Sequence, residues 1–193
     1  MTPTLEECLN LMKDYNMLEN IVQHSLMVNE VGLWLSEELN KTGENIDLAK
    51  VQAGALLHDI TKTKSITTGE NHAETGSELL EKLGFKSISE IVRQHVLTDD
   101  NTNSPLISEI EIVNYADKRV LHSKVVTLRE RFDDLMTRYG INQERVCLIS
   151  RSKNRTIEVE KKIFSRLDIT PDALLSITIE SCTLKPQRYS RKD

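Results

Sequence analysis

With 193 residues, 38% hydrophobic and 28% charged, the chain has the size and balance of one globular domain. No apolar run approaches a membrane span, and the acidic, amphipathic opening MTPTLEECLNLMKDY is unlike a signal peptide, so a cytoplasmic protein with no membrane partner is expected. The net charge of −5 is uneven: eleven Lys or Arg stand against seven Asp or Glu beyond residue 141, and fourteen against twenty-three up to it, an acidic body that opposes nucleic-acid binding.

Seven glycines and four prolines are little punctuation, which favours long helices. Residues 4–13 form a short amphipathic helix and residues 17–40 a long one. Asp47 caps a helix running to about Thr61, followed by a loop, SITTGEN. Residues 72–83 are helical and stop at Gly84, and Ser87 caps a helix to about Val96. After the polar loop TDDNTNSP, Pro105 opens a helix to about Val120. Further helices span about 124–139, closed by Gly140, and about 142–167, where the polar SRSKNRT interrupts the pattern. Pro171 starts a short last helix. The expected fold is all-α. Cys8, Cys147 and Cys182 are odd in number, with no C-x-x-C, which speaks for free thiols rather than disulfides or a thiolate zinc site.

Tracing the apolar faces exposes a pattern. Met17, Ile21, Val28, Val31 and Leu35 fall at three- and four-residue steps once His24 is placed among them. Leu106, Ile110, Val113 and Val120 define a stripe whose missing step is Asp117. Ile88, Ile91 and Val92 lead to His95, and Gly76, Leu79 and Leu83 trace back to His72. The doublet His58-Asp59 follows the apolar helix from Val51. One inward histidine is ordinarily a hydrogen-bonded core residue, and one inward aspartate an ion-pair or capping group. Six such residues on five helices are explained together by one or two divalent cations, because imidazole and carboxylate are the ligands such ions take. Without thiolates the set suits Mn, Fe, Co, Zn or Mg.

The order His24, His58-Asp59, Asp117 resembles the H…HD…D signature of the HD-domain superfamily of metal-dependent phosphohydrolases, over roughly residues 15–140. HDITK resembles the H-D-I-G-K form with Thr61 in place of the glycine, and NHAETGSELL resembles the H-x-x-x-G segment of HDIG-type relatives. RQHV matches the next histidine and NYADKRV the terminal A-D segment. The resemblance implies an all-α HD-domain bundle, set over residues 1–140; from the helical pattern and charge, 141–182 are expected as a C-terminal helical extension packed on the same globule and 183–193 as a flexible basic tail. It also implies that His24, His58, Asp59 and Asp117 hold a first metal, and that His72 and His95 hold a second with Asp59 bridging. His95-Val96 stands where HD-GYP relatives carry paired histidines, so the site is open between one ion and two, and cyclic di-GMP is not the expected substrate.

The chemistry so implied is attack of a metal-activated water on phosphorus, with Asp59 anchoring the ion and Lys62 holding a phosphate or the leaving oxygen. Lys118 and Arg119 are further phosphate candidates, as is Lys64. His122, five residues past Asp117, is expected near the ligands or at the surface rather than among them. Leu128, Phe132, Leu135 and Tyr139 form a packing face against the body or a second subunit, with Arg129, Arg131 and Arg138 on its solvated side. The expected activity is hydrolysis of a phosphomonoester, phosphodiester or phosphoanhydride of a small substrate, with a nucleotide the best fit. The alternative is a non-catalytic nucleotide- or metal-binding regulator.

Overall fold

The computed structural model describes residues 1–99 and 104–179. Cys182, the basic tail and the centre of the TDDNTNSP loop lie outside the described residues. Helix α1 (Leu5–Asp14) opens on a capping box between Thr4 and Glu7. Helix α2 (Glu19–Lys41) buries Ile21, His24, Val28, Val31 and Leu35 along one face. Helix α3 (Leu48–Leu57), capped by Asp47, has every residue from Val51 to Leu57 buried. It lies at the centre of the bundle, and two glycines let its neighbours close in. A Cβ on Gly54 would stand 2.7 Å from Ile91 Cγ2, and one on Gly32 of α2 would stand 3.0 Å from Val51 Cγ1.

The helix expected to run to Thr61 stops at Leu57 and a separate helix, α4 (Lys62–Thr68), occupies most of the expected SITTGEN loop. No glycine or proline marks that break. The turn is closed by Ile60 N–H donating to Leu57 O and Lys62 N–H to Asp59 O, and Gly69 at φ +74° ends α4. Helix α5 (His72–Lys82) starts from an Asn71 cap, and α6 (Lys86–Arg93) follows it. Ser87 lies inside α6 rather than capping it, because the preceding helix already ends through Gly84 at φ +86° and Phe85 stands at the N-cap.

Helix α7 (Glu109–Lys118) begins at a Ser108–Glu111 capping box, four residues later than the Pro105 start expected. Leu106 is consequently off the stripe and 69% exposed, while Ile107 is buried. Leu83 is likewise exposed and Leu80 takes its place in the core. A hairpin not anticipated from the sequence, β1 (Val120–Leu121) with β2 (Lys124–Val125), connects α7 to α8 (Leu128–Tyr139). On α8 Leu128 and Phe132 are buried, and Tyr139 is exposed. Helix α9 (Gln143–Phe164) runs unbroken through SRSKNRT, and a 3-10 turn (Pro171–Ser176) follows. Within that stretch Thr156 is buried and turns its hydroxyl back to Ser152 O. Val159, Ile163 and Leu174 join the same apolar core as α2 and α3. The contact is pinned by polar pairs: Lys162 Nζ donates to Glu111 at 2.7 and 2.8 Å, and Tyr115 Oη donates to Glu160 at 2.6 Å. No helix among the described residues is long and apolar enough to cross a membrane.

Candidate metal centre

Two histidines reach the centre by the same local device. An α-helix leaves its last carbonyls without intrahelical partners. At the end of α3, His58 turns its Nδ1–H back to Ala55 O at 2.7 Å; at the end of α6, His95 does the same to Val92 O at 2.7 Å. A carbonyl only accepts, so Nδ1 carries a proton in both rings and Nε2 is the nitrogen turned inward. His24, in the middle of α2, is set by a different partner: its Nδ1 donates to His122 O at 2.9 Å. His122 itself occupies the hairpin turn at φ +56°, so its main chain rather than its imidazole serves the centre. Such bonds fix ring orientation and tautomer for a metal ligand.

The inward atoms form a continuous chain. His24 Nε2 stands 3.0 Å from Asp117 Oδ1, which is 3.8 Å from His58 Nε2. His58 Nε2 stands 3.4 Å from Asp59 Oδ2. On the other side of that carboxylate, Asp59 Oδ1 is 3.3 Å from His72 Nε2 and 3.5 Å from His95 Nε2, and those two nitrogens are 3.1 Å apart. Two groups thus have potential ligand atoms within 4.8 Å of one another: His24, His58 and Asp59, and Asp59, His72 and His95. Asp59 belongs to both. His72 arrives because Gly76, one turn on, lets α5 approach Thr61, whose hydroxyl donates to His72 O at 2.9 Å. The Thr that replaces glycine in the H-D-I-G-K pattern therefore tethers the next histidine-bearing helix.

These residues fit a divalent cation. His58 Nε2 and Asp59 Oδ1 are buried without a hydrogen-bond partner. His24 Nε2 stands at hydrogen-bond distance from a carboxylate oxygen of Asp117. A buried carboxylate oxygen with no donor calls for a positive charge beside it, and imidazole with carboxylate is a ligand set that divalent ions take. Burial, with His58 and His72 alongside, drives His95 down to about 4 against the pull of Asp59, so its ring is neutral at pH 7.

Three basic side chains border the cluster. Lys62, the first residue of α4, donates from Nζ to Asp59 Oδ2 at 2.8 Å and keeps a third of its side chain exposed. Burial works against its charge, but Asp59 and Asp117 outweigh it and hold its pKa above the usual lysine range. Lys118 is buried, donating to Asp117 Oδ2 at 2.6 Å and to His95 O at 3.0 Å. Burial would raise both carboxyls; Lys62 and His58 hold Asp59, and Lys118, His24 and Arg131 hold Asp117, well below the ordinary range.

The structure brings His24, His58, Asp59, Lys62, His72, His95, Asp117 and Lys118 together and places Arg119 elsewhere. One residue beyond Lys118, Arg119 is rotated to the far side of the helix end, where it donates to Val126 O, Tyr115 Oη and Pro171 O. Arg119 is 1% exposed and joins hairpin, α7 and C-terminal turn, so it is a packing residue and not a phosphate ligand. Lys64 pairs instead with Glu70 at 3.1 Å. Arg131 is the residue missed: expected in solvent, it is buried with Nη2 3.7 Å from Asp117 Oδ1. Its place three residues after buried Leu128 and four before half-buried Leu135 was the available signal.

A family model described as HD domain matches residues 21–170. An uncharacterized protein of Methanocaldococcus jannaschii is 27% identical over 169 residues, covering 79% of this chain and 98% of the relative. A tRNA (cytidine(56)-2'-O)-methyltransferase of Picrophilus torridus is 29% identical over 144 residues, 68% of this chain but 40% of the relative. A ribonuclease Y of Treponema denticola is 30% identical over 122 residues, 62% of this chain and 22% of the relative. The chain thus spans less than half the length of these last two proteins. Among solved structures, a predicted HD superfamily hydrolase from an uncultured Thermotogales bacterium aligns with a TM-score of 0.48 at 21% identity, covering 84% of this chain and 92% of that one.

Proposed function

The chain belongs to the HD-domain family, and from that premise we propose that it is a metal-dependent phosphohydrolase acting on a small phosphorylated substrate, with a nucleotide as the substrate class. The supporting observation is the convergence of four imidazole Nε2 atoms and two carboxylates on one centre bordered by Lys62, Lys118 and Arg131. His24, His58 and Asp59, with Asp117 beside them, would hold one ion of Mn, Fe, Co, Zn or Mg; Asp59, His72 and His95 would hold a second. When bound, such an ion supplies an activated water near neutral pH and relieves charge on phosphoryl oxygens.

The chain's own residues do the rest. Lys62 and Arg131 already match the two carboxylates in charge, so Lys118 or any divalent ion leaves the centre net positive and complementary to a phosphoryl dianion. Lys62 is the partly exposed member of the basic set. It stays protonated and donates from Nζ to a phosphoryl or leaving oxygen while its second bond holds Asp59 in place. Lys118, donating at once to Asp117 and His95 O, ties α7 to the end of α6 and keeps the two halves of the ligand set in register. Ribonuclease Y and the tRNA methyltransferase are RNA-directed by name, but the acidic residues 1–141 favour a small anion over an RNA chain for this protein.

The test is turnover by purified protein reconstituted with each metal, on p-nitrophenyl phosphate, bis-p-nitrophenyl phosphate, a nucleotide panel and a short RNA. Metal-dependent release of phosphate or nitrophenol from small substrates is expected. Stoichiometric metal binding with no turnover in any metal would instead establish the non-catalytic regulator.

A further inference from the structure

Arg131 differs from the other basic side chains of the centre. Only 8% of it is exposed, yet its bonding is poor. Nη1 reaches Asp134 Oδ2 at 3.5 Å, the limit of a hydrogen bond, Nη2 stands 3.7 Å from Asp117 Oδ1, and Nε is buried with no partner. A guanidinium built for a structural ion pair closes on its carboxylate at about 2.7–2.9 Å, commonly through two bonds. Both neighbouring carboxylates have closer donors. Asp134 accepts from Arg138 Nε at 2.9 Å, and Asp117 is already taken by Lys118 at 2.6 Å and His24 at 3.0 Å.

A buried guanidinium with unused donors is costly unless an acceptor completes it. An anion would complete it in both charge and hydrogen bonding, and Nη2 places that anion near Asp117 Oδ1, the oxygen that also faces His24 and His58. We propose that Arg131 is a substrate-binding residue whose free N–H donors take the oxygens of a phosphoryl group seated against the His24–His58–Asp117 side of the centre. The planar fork of an arginine suits two oxygens of a tetrahedral phosphoryl group, which the point charge of a lysine does not match. Helix α8 thereby belongs to the site although it carries no metal-ligand candidate. Lys62 and Arg131 hold the anion from opposite carboxylates, one beside Asp59 and one beside Asp117. This assignment rests on the reading that the substrate is phosphorylated.

The experiment is calorimetric titration of inorganic phosphate into the Mn-loaded full chain, with Arg131→Lys and Arg131→Ala compared with wild type and metal per chain measured on each. Phosphate is expected to bind wild type and to bind both variants about tenfold or more weakly, at unchanged metal content and melting temperature. Unchanged phosphate affinity in Arg131→Ala, no phosphate binding to wild type, or metal loss in Arg131→Lys would overturn the assignment, the last showing that Arg131 only positions Asp117. If Arg131→Ala does not fold, Arg131→Lys decides. Phosphate binding weakened by the variants without any turnover by wild type would retain this site and reject hydrolysis; turnover with phosphate affinity indifferent to Arg131 would do the reverse.

Discussion

His24 Nε2 lies 3.0 Å from Asp117 Oδ1 across 93 residues of sequence, while the other nitrogen of the same ring donates to the His122 carbonyl. The imidazole is thus held on one side by a main-chain atom of a hairpin and on the other by a carboxylate of α7. The ring's orientation depends on the hairpin's backbone at His122.

His122→Gly tests that dependence. His122 is in the left-handed region at φ +56°, where a side chain is strained and glycine is not. The variant keeps the carbonyl, so metal content should match wild type and stability should be equal or higher by up to about 1 kcal/mol. His24→Ala should lose metal. Metal loss in His122→Gly would show that the imidazole itself is needed.

Gly54 sets the spacing of the helices that carry the ligands. Any Cβ there meets Ile91 Cγ2 at 2.7 Å and Val113 Cγ2 at 3.3 Å, on α6 and α7. Gly54→Val should destabilise by about 1–3 kcal/mol in urea unfolding through overpacking. An unaltered midpoint would mean that α6 and α7 yield without cost.

Glu111 performs two tasks. It closes the capping box of α7 with Ser108 and takes Lys162 from α9. Glu111→Ala removes both and leaves a mostly buried ammonium, so a loss of roughly 2–4 kcal/mol is expected by chemical denaturation. Lys162→Met, which keeps the cap and the aliphatic packing, should cost clearly less. Equal losses would mean that the cap contributes nothing.

Thiol chemistry checks the packing of α1. Burial, with Glu7 nearby, pushes the Cys8 thiol up to about 12, so it stays protonated at every ordinary pH, whereas Cys147 is exposed. Iodoacetamide at pH 8 should modify Cys147 in the native protein and spare Cys8 until denaturant is added, read by peptide mass spectrometry. Native labelling of Cys8 would contradict the docking of α1.

Legibility followed physics. His24 sits inside a long stripe, where helical periodicity reports burial; Asp117 was readable from the same spacing although only Ile110 and Val113 of its stripe share α7 with it. His58 and His95 sit at helix ends. There the apolar residues before each, and then the resemblance, pointed to them, but the Nδ1-to-carbonyl caps that aim them have no sequence signature. The break between α3 and α4 was hidden because hydrogen bonds rather than Gly or Pro make it. Two-residue strands are too short to leave an alternation, so the hairpin and its carbonyl were invisible. Arg119 was misread through adjacency to Asp117, since each helical step turns a side chain by about 100°. Arg131 was misread as solvent-facing because charge was weighed above its place on the buried stripe of α8.

The shared cation is what the whole account turns on, and elemental analysis of metal per chain tests it most directly. Wild type should carry about one to two divalent ions per chain after reconstitution and dialysis. Asp59→Ala, which removes the carboxylate common to both ligand groups, should carry almost none while remaining folded by circular dichroism. Wild-type protein that holds no ion, or a folded Asp59→Ala that holds as much as wild type, would contradict it.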